Sequence, residues 1–344
     1  MAAKTSMSQP PIISICVANY NGMDVIDDCL KSVMTQSGGL AVEIIVHDDA
    51  SSDRSVTHIR EHYPDVKLIE SEKNVGFCIA NNRMAAIARG EYLLLLNNDA
   101  TLFTDALITL HKNAQEAAQP TILGLPQHNA DTRILIDNGS LLDPFLNPIP
   151  NKVIEHRKVG MIMGACLWIP KDLWNELEGF PELFGSIGED LYLCCRARLT
   201  GYTVQALGKS GYYHKVGMSF GGGKVQKGRL TTTQRRRSLS ERNKSYVMFL
   251  CYPAPALYFI LPLHLLLLML EGILLGLAKR DMGLLRKIYT PVLVALWREH
   301  SKLFTLRHKC QEARSCSLAS WLTVFRPLPY KLEMLIKHGL PKIQ

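Results

Sequence analysis

The segment Tyr92-Leu93-Leu94-Leu95-Leu96-Asn97-Asn98-Asp99 is a continuous apolar run that ends in three polar residues. Such a run is typical of a β-strand that is covered on both faces. Three earlier segments have a similar strand-like pattern of apolar residues. Segments whose apolar residues have helical spacing separate them. The strands are 12–17, 43–46 and 66–69, and the helices are 25–34, 53–62, 77–88 and one that begins at 104. This alternation predicts an α/β protein with a mostly parallel sheet and helices on both faces.

Polar side chains follow three of these four strands at the point where each strand ends. Asn19-Tyr20-Asn21 follows the first strand, Asp48-Asp49 the second, and Asn97-Asn98-Asp99 the fourth. In parallel sheets, ligands bind at the carboxyl ends of the strands. The sequence therefore predicts one ligand site to which all three groups contribute.

The second part of the chain is less regular. Residues 125–160 are rich in Pro, Asn and Asp and predict a loop-like region that could shape an acceptor site. Order resumes after residue 160. The pattern predicts strands at 166–169 and 202–207, a helix that opens at Pro170 and a second helix over 189–199.

The net charge of +8 is unevenly distributed along the chain. Residues 1–226 contain 19 Lys and Arg against 25 Asp and Glu, whereas residues 227–344 contain 20 against 6. A basic region of this kind binds anionic lipid or nucleic acid. Because it also contains a long apolar stretch and lacks a recognisable nucleic-acid-binding module, the sequence favours lipid and excludes nucleic acid as a partner.

Residues 246–270 contain no Asp, Glu, Lys or Arg, and basic residues flank them on both sides. Their length is sufficient for a membrane-spanning helix. Three prolines and the symmetric basic flanks favour a segment that lies in the cytoplasmic interface instead. A single span, a re-entrant hairpin and a buried helix of a soluble protein remain alternatives.

The cysteines and the amino terminus indicate a reducing compartment. The nine cysteines are scattered without a C-x-x-C pair, so neither a zinc site nor a disulfide framework is expected. Residues 1–11 have no apolar core of a signal peptide. We therefore expect the catalytic part to remain on the cytoplasmic side of the membrane.

Most of the candidate residues have a structural alternative to a role in binding or catalysis. Asp48 can accept hydrogen bonds from a nucleobase or ribose, whereas Asp53 can do so or cap the following helix. Asp99 can bind a hard cation, although Asn-Asn-Asp also suits a turn. In Gly188-Glu189-Asp190, which opens a helix, the carboxylates can act as a base or favour the helix dipole. His214 can bind a metal or be structural.

Taken in chain order, these groups resemble glycosyltransferase family 2. The likeness covers about residues 12–250 and is closest to bacterial rhamnosyltransferase-type enzymes of surface-polysaccharide synthesis. The segments that carry it are 14–22, 48–53, 74–77 with Asn81-Asn82, 96–100, and 188–190 with Arg196. The resemblance implies a GT-A fold, a nucleotide-diphosphate sugar donor and a Mg²⁺ or Mn²⁺ cofactor.

The resemblance also implies a role for each matching residue. Asp190 matches the general base, and Glu189 is its neighbour. Asp99 matches the metal-binding carboxylate, and His214 falls where members often have a His that touches metal or diphosphate. Asp48 would bind the pyrimidine base. The other residues expected around the nucleotide and donor sugar are Asn19, Tyr20, Asn21, Asp49, Asn74, Gly76, Asn82, Asn97 and Asn98.

Three positions depart from the family pattern. Asn97 replaces the first Asp of the D-x-D motif, so one anionic metal ligand is missing. Tyr192 replaces an Asp that often follows the acidic pair. Gln234-Arg235-Arg236-Arg237 is followed by Ser238 instead of the Trp of processive members, which predicts a single-addition enzyme, although this run could also be a basic membrane-facing segment.

These observations predict an inverting, metal-dependent glycosyltransferase at the cytoplasmic face of the plasma membrane. The expected donor is dTDP-rhamnose and the expected acceptor a lipid-linked saccharide. Transfer of a hexose or N-acetylhexosamine from a UDP-sugar and a non-catalytic nucleotide-binding scaffold are the alternatives. The predicted parts are a tail at 1–11, a GT-A domain at 12–245 with halves 12–125 and 126–245, and a helical membrane-associating region at 246–344.

Overall fold

The computed structural model describes residues 10–215, 224–226 and 229–343. Most of the predicted tail 1–11 therefore lies outside the described residues. The strands are β1 Ile13–Asn19, β2 Val42–Asp48, β3 Lys67–Glu70, β4 Tyr92–Asn97, β5 Ala100–Leu102, β6 Thr121–Gly124, β7 Gln127–Asn129, β8 Leu135–Asp137, β9 Leu141–Leu142, β10 Pro148–Ile149, β11 Cys166–Pro170, β12 Thr203–Ala206, β13 Tyr212–His214, β14 Lys224–Gln226, β15 Arg229–Thr232 and β16 Lys342–Ile343.

Helices directly follow β1, β2, β3, β5, β11 and β15, and further helices follow these toward the carboxyl terminus. They are α1 Ile26–Met34, α2 Ser55–His62, α3 Phe77–Ile87, α4 Ala106–Glu116, α5 Lys171–Glu176, α6 Glu189–Leu199, α7 Gln234–Cys251, α8 Ala254–Lys279, α9 Thr290–Arg298, α10 His300–Glu312, α11 Leu318–Leu322 and α12 Tyr330–His338. The alternation predicted for the first 124 residues is confirmed to within a few residues at each boundary.

A seven-stranded sheet in the order β12-β6-β11-β4-β1-β2-β3 forms the centre of the molecule. The pairs β1–β2, β1–β4, β2–β3 and β6–β12 are parallel, as the continuous apolar strands predict. Alternate residues of these strands are buried in two separate apolar clusters, one on each face of the sheet. This arrangement confirms the predicted α/β architecture.

Strand β11 runs against its neighbours, because it pairs antiparallel with both β4 and β6. Its amino end therefore lies at the same edge of the sheet as the carboxyl end of β4. Cys166, the first residue of β11, is opposite Leu96, and Pro170 is opposite Tyr92. Because of this antiparallel orientation, the residues just before β11 lie at the sheet edge that also carries the polar groups after β1, β2 and β4.

The loop-like region expected at 125–160 contains short strands. A second sheet has the order β5-β13-β7-β8, and it joins the strand after Asp99 to the strand that ends at His214. Composition did not reveal these strands because each is only two or three residues long. The hydrogen bonds of this small sheet fix His214 beside Ala100.

The apolar stretch 246–270 is not one continuous helix. Residues Tyr246–Cys251 complete α7 and are almost fully buried, and α8 begins after Pro253. The predicted boundary between 245 and 246 therefore falls inside α7. Helix α8 has 26 residues and contains an 18-residue stretch with a mean hydropathy of 2.2, so its length and composition would allow it to cross a membrane.

The region after α8 also packs against helices α6 and α7. Leu303 and Cys310 of α10 and Trp321 of α11 belong to the same buried apolar cluster as α6 and α7. Arg198 of α6 donates to the carbonyl oxygen of Trp321 at 2.7 Å. The carboxyl-terminal region is thus partly an extension of the globular core and not a detached membrane segment.

Candidate active site

The carboxyl ends of β1, β2 and β4 meet in a cluster of buried polar side chains. The amide nitrogen of Asn19 donates to Oδ1 of Asp48 at 2.8 Å and to the hydroxyl of Ser55 at 3.0 Å. The amide of Asn98 donates to Oδ1 of Asn19 at 2.9 Å. These bonds bring together three of the predicted nucleotide-site residues, as the strand-end argument expects.

Asp48 is buried, and its carboxylate already holds the loop after β2. Ser51 donates to it twice, from its backbone N–H at 2.9 Å and from its hydroxyl at 2.6 Å. Together with the bond from Asn19, these contacts leave little of the carboxylate free. They favour a role for Asp48 in shaping the pocket over the direct contact with a base implied by the resemblance.

Asp49 connects β2 to the segment before α3. Its two carboxylate oxygens accept the backbone N–H groups of Val75 and Gly76 at 2.6 and 2.9 Å. Asn74 donates to the carbonyl oxygen of Asp49 at 3.3 Å. Gly76 has a φ of 89°, a region that favours glycine. The predicted residues Asp49, Asn74 and Gly76 therefore form one connected wall.

Two loop residues flank the polar cluster. Tyr20 is 53% exposed, so its ring is available to a ligand. Asn21 accepts the backbone N–H of Ser52 at 2.8 Å and holds that loop. Asp53 accepts the backbone N–H groups of Met23 and Ser55 at 2.9 and 3.0 Å. Since Ser55 begins α2, the contacts of Asp53 favour the helix-start alternative over a ligand role.

The side chain of Asn82, a residue predicted to lie near the donor, is bound to the backbone of Phe180. Its amide nitrogen donates to the carbonyl oxygen of Phe180 at 2.8 Å, and its Oδ1 accepts the N–H of Phe180 at 3.0 Å. Both polar ends are occupied by one backbone position. Asn82 therefore ties α3 to the segment after α5, a contact between residues 98 positions apart that the sequence motif does not reveal.

Asp99 and His214 face each other across the small sheet. Oδ1 of Asp99 lies 3.0 Å from Nε2 of His214, and both side chains are nearly buried. Among the described residues, that carboxylate oxygen has no polar contact other than the one with His214. The amide nitrogen of Gln127 lies 2.9 Å from Nδ1 of His214 and fixes the ring. Gln127 lies in the region read as a loop, and the sequence did not identify it.

This pair has the chemistry of a partial metal site. A carboxylate oxygen and an imidazole nitrogen are both ligands of Mn²⁺, and adjacent ligands of an octahedral ion at about 2.1 Å are about 3 Å apart. The 3.0 Å spacing of these two atoms fits a cation bound by both side chains. Over 10–215, 224–226 and 229–343 no group of three acidic, His or Cys side chains that could hold a metal occurs.

The side chains of Asn97 and Asn98 contact different parts of the site. The amide nitrogen of Asn97 lies 3.4 Å from Nε2 of His214, and its backbone N–H donates to the carbonyl oxygen of Ala165. Asn98 points instead to Asn19 in the nucleotide cluster. The two residues thus join the candidate metal pair to the candidate nucleotide pocket.

Glu189 and Asp190 are the first two residues of α6. Oδ2 of Asp190 accepts the backbone N–H of Gly164 at 3.0 Å, and Oδ1 accepts the N–H of Leu191 at 2.8 Å. Ala165, the neighbour of Gly164, is the residue that receives the N–H of Asn97. The reversed strand β11 therefore places the acidic pair beside the end of β4.

The two carboxyl groups have different surroundings. Burial raises the pKa of Glu189, and the nearby charge of Asp190 raises it further. Burial also raises the pKa of Asp190, but the backbone N–H groups of Gly164 and Leu191 stabilise its anion and oppose that shift. Oε2 of Glu189 has no hydrogen-bond partner among the described residues. Asp190 is therefore the member of the pair that carries the negative charge.

Arg236 lies near this acidic pair, and the sequence did not assign it a role. Its charge lowers the pKa of both Glu189 and Asp190, while burial lowers the pKa of its own guanidinium. Its neighbour Arg237 pairs with Glu271 of α8. At least these two members of the run 234–237 thus face the protein, which argues against a purely membrane-facing run.

Two residues near the acidic pair are structural. Arg196 is nearly buried on α6, and its charge lies close to Cys310 and Tyr192. The hydroxyl of Tyr192 lies 3.7 Å from the sulfur of Cys310. The Tyr in place of a second Asp therefore packs into the core between α6 and α10, and residues 189 and 190 remain the candidates for the base.

Two family models match the chain. The model described as Glycosyl transferase family 2 matches residues 14–176, and the model described as Glycosyl transferase family group 2 matches residues 153–298. The first contains the strand-end cluster and Asp99. The second contains the acidic pair, His214, α7 and α8.

Curated relatives are similar over part of their length. Chondroitin synthase of Escherichia coli is 28% identical over 193 residues, which are 55% of this chain and 27% of that protein. The succinoglycan biosynthesis protein ExoO of Rhizobium meliloti is 32% identical over 134 residues, or 38% of each chain. The matched part spans about a third of the length of such relatives.

Solved structures share the fold at low sequence identity. Residues 1–349 of S. aureus TarS in complex with UDP align with a TM-score of 0.53 and 16% identity, over 88% of both chains. A mannosyltransferase of Pyrobaculum calidifontis in complex with GDP-Man and Mn²⁺ aligns with a TM-score of 0.51 and 16% identity, over 89% of this chain and 86% of that one.

Proposed function

The chain belongs to glycosyltransferase family 2, and from that membership we propose that it transfers a sugar from a nucleotide-diphosphate donor to a saccharide acceptor with inversion at the anomeric carbon. One observation carries the proposal. The pair Asp99–His214 and the base candidate Asp190 lie at the same sheet edge, and the backbone of residues 164–165 connects them. A cation-binding pair beside a half-buried carboxylate is the arrangement that this reaction requires.

The donor would bind along the ends of β1, β2 and β4. The exposed ring of Tyr20 can stack on the nucleobase, and Asn19 and Asn98 line the adjacent polar wall. The loop that Asp49 fixes at Val75 and Gly76 would enclose the diphosphate and sugar. Asp48 supports this pocket through Ser51 and Asn19.

Asp99 and His214 would hold Mg²⁺ or Mn²⁺ next to the diphosphate. When bound, the cation supplies positive charge that stabilises the leaving diphosphate. Gln127 fixes the orientation of the His214 ring, and rotation of its amide group would let its oxygen accept a hydrogen bond from Nδ1–H and leave Nε2 to the metal. Asn97 contributes an uncharged side chain where the family has an Asp.

Asp190 would act as the general base in a single displacement. The acceptor hydroxyl gives its proton to the Asp190 carboxylate while its oxygen forms a bond to the anomeric carbon. The bond from that carbon to the diphosphate oxygen breaks, and its electron pair leaves with the nucleoside diphosphate. Since the attack comes from the side opposite the leaving group, the anomeric configuration inverts.

The donor that we favour is dTDP-rhamnose, on the basis of the resemblance to rhamnosyltransferase-type enzymes. A UDP-hexose or UDP-N-acetylhexosamine is the second candidate, because TarS, which shares this fold, was crystallised with UDP-GlcNAc. The acceptor that we favour is a lipid-linked saccharide of a cell-surface polysaccharide.

We expect the wild-type protein to release nucleoside diphosphate from one donor of a panel of dTDP-, UDP- and GDP-sugars, in a metal-dependent manner. The assay compares reactions with Mn²⁺ and with a chelator, in detergent extracts that contain lipid-linked saccharides. The configuration of the product, read by NMR, reports inversion. If no donor is cleaved and no nucleoside diphosphate binds, the transferase proposal is wrong and the protein is a scaffold.

Location at the cytoplasmic membrane surface is part of the proposal. The buried side of α8 is polar at two positions, because Glu271 pairs with Arg237 and Lys331, and His264 lies 2.9 Å from the hydroxyl of Ser245. The other side is apolar and exposed. It comprises Tyr258, Phe259, Leu263, Leu266, Leu270, Leu274 and Leu277. One face of α8 therefore packs against the protein, and the other exposes apolar side chains. This arrangement fits a helix that lies in the membrane interface better than one that crosses the membrane.

We expect Phe259→Glu with Leu274→Glu to lower binding to anionic vesicles by tenfold or more, since burial of each large apolar side chain contributes about 1.5–3 kcal/mol. The measurement is flotation with phosphatidylglycerol vesicles at two salt concentrations. Ile134→Glu is the control, because Ile134 is 64% exposed outside this region. Two results would contradict an interfacial position of α8. One is equal vesicle binding by the double variant and the Ile134→Glu control. The other is wild-type protein that stays in the membrane fraction after alkaline extraction.

A further inference from the structure

The loop Gly185–Gly188 leads directly into the acidic pair and has an unusual backbone. Gly185, Ile187 and Gly188 all have positive φ, at 69°, 72° and 87°. A β-branched residue such as Ile187 rarely adopts this conformation, and it persists only where the surroundings hold it in place. The loop therefore needs an external support, and that support determines where α6 begins.

Asn243 of α7 provides such a support. Its amide nitrogen lies within hydrogen-bond distance of three carbonyl oxygens, that of Phe184 just before the loop at 2.9 Å and those of Ser186 and Ile187 within it at 3.0 and 2.6 Å. The side chain is fully buried. An amide group has only two N–H donors, so the three carbonyl oxygens share them. The amide thus provides hydrogen bonds to carbonyl groups that the irregular backbone leaves without partners.

Arg242 fixes the orientation of Asn243. Its Nε donates to Oδ1 of Asn243 at 2.8 Å, so the amide nitrogen must point to the loop. Its Nη2 donates to the carbonyl oxygen of Phe184 at 2.8 Å. A Cβ added at Gly188 would lie 3.3 Å from Cβ of Asn243, which shows how closely α7 approaches the loop.

The same loop is held from the donor side. The backbone N–H of Cys78 donates to the carbonyl oxygen of Gly185 at 3.0 Å, and that of Phe77 donates to the hydroxyl of Ser186 at 3.2 Å. A Cβ added at Gly76 would come within 3.0 Å of the carbonyl oxygen of Gly185. The loop is thus fixed between the candidate donor wall and α7.

We propose that Asn243 is a positioning residue for the general base, holding the loop Gly185–Gly188 so that Asp190 meets the acceptor hydroxyl beside the donor sugar. This inference rests on the proposed role of Asp190. Asn243 itself touches neither substrate. It acts through the backbone, and α7 is held in turn by the ion pair between Arg237 and Glu271.

The test compares Asn243→Ala with Asn151→Ala. Asn151 is also buried and also binds loop backbone, at Asn138, Val153 and His156, but away from the acidic pair. Asn243→Asp keeps the side-chain shape and replaces the donor by an acceptor, and it is used if the alanine variant does not fold. The readouts are amide hydrogen exchange of residues 184–191, kcat, donor KM and the pH dependence of kcat.

We expect faster exchange over residues 184–191 in the Asn243 variants and a loss in kcat of tenfold to about 10²-fold, because displacement of a reacting group by about 1 Å can have that effect. The KM for the donor remains within about twofold. The charged groups around Asp190 are Glu189 on α6 and Arg236 on α7, and the Cys78 and Cys194 thiols lie near it. Greater access of water lowers the raised pKa of Asp190, so the acidic limb of the profile moves to lower pH.

Two outcomes would overturn the inference. One is exchange over 184–191 that matches wild type, and the other is a loss of kcat no larger than that of Asn151→Ala with an unmoved acidic limb. Hydrogen exchange does not depend on activity. A wild-type protein without transferase activity would therefore refute the proposed function, whereas unchanged exchange in the variants would refute the support of the loop by Asn243.

Discussion

Replacement of Asp190 by asparagine is expected to lower kcat by about 10²–10⁴-fold, the usual loss when a positioned base is removed. Asparagine keeps the shape of the side chain, and its Oδ1 can still accept one of the two backbone N–H groups that bind Asp190. It cannot accept the proton of the acceptor hydroxyl. The measurement is single-turnover release of nucleoside diphosphate, with binding of the nucleotide measured separately.

Glu189→Gln is the matched comparison for this variant. Glu189 is buried, its pKa is raised, and its Oε2 has no hydrogen-bond partner in the described part of the chain, so we infer that it is protonated near neutral pH. Glutamine resembles that neutral form, and we expect activity within about tenfold of wild type. A larger loss in Glu189→Gln than in Asp190→Asn would transfer the base role to Glu189.

The raised pKa of Asp190 also predicts the sign of the pH dependence. The base must be ionised, so activity increases with pH through its pKa. Because burial raises that pKa, the acidic limb of kcat/KM lies at higher pH than an exposed aspartate would give. Coupling to Glu189 means that this limb reports the pair as a unit.

Replacement of Asp99 by asparagine is expected to weaken Mn²⁺ binding by tenfold or more and to lower kcat/KM by about 10²-fold when Mn²⁺ is limiting. The variant loses the single carboxylate of the candidate metal pair, and a metal contributes several kcal/mol to stabilisation of the leaving group. Each 1.36 kcal/mol corresponds to a factor of ten in rate. Electron paramagnetic resonance of Mn²⁺ in the presence of nucleoside diphosphate measures binding without turnover.

Asp105→Asn is the control for charge alone. Asp105 lies near Asp99 in the sequence but accepts a hydrogen bond from the hydroxyl of Ser210 at the surface. We expect its Mn²⁺ affinity and its turnover to equal those of wild type. If Asp99→Asn behaves like this control, the metal is held elsewhere or is not used.

The strand-end residues could be located from sequence because a buried parallel strand has a recognisable pattern. The apolar run Tyr92–Leu96 and its polar end predict both the strand and the edge at which Asp99 lies. The contact between Asp99 and His214 could not be predicted from a strand pattern, since the two residues are far apart in the chain. Only the pairing of β5 with β13 brings them together, and three-residue strands have no detectable periodicity.

Other contacts could not be predicted because a sequence pattern indicates neither the direction of a strand in its sheet nor the residue that a side chain binds. The run Cys166–Ile169 predicts a strand but not its antiparallel orientation, which places Gly164 at the base. Hydropathy does not distinguish the buried end of α7 from the exposed face of α8, because both are apolar. Asn82 and Asn243 were not identified as supports because each binds backbone at a distant part of the chain.

The strand order has a consequence for how the chain folds. Strand β6 belongs to the first predicted half, yet its neighbours in the sheet are β11 and β12 from the second. A fragment that ends at residue 125 would leave β6 without either neighbour, so the halves at 12–125 and 126–245 cannot be independent folding units. The pairing of β4 with β11 also closes a long loop, a contact of high sequence separation that slows folding. The central sheet is therefore completed late, and during synthesis its β4 edge remains open until β11 is available to cover it.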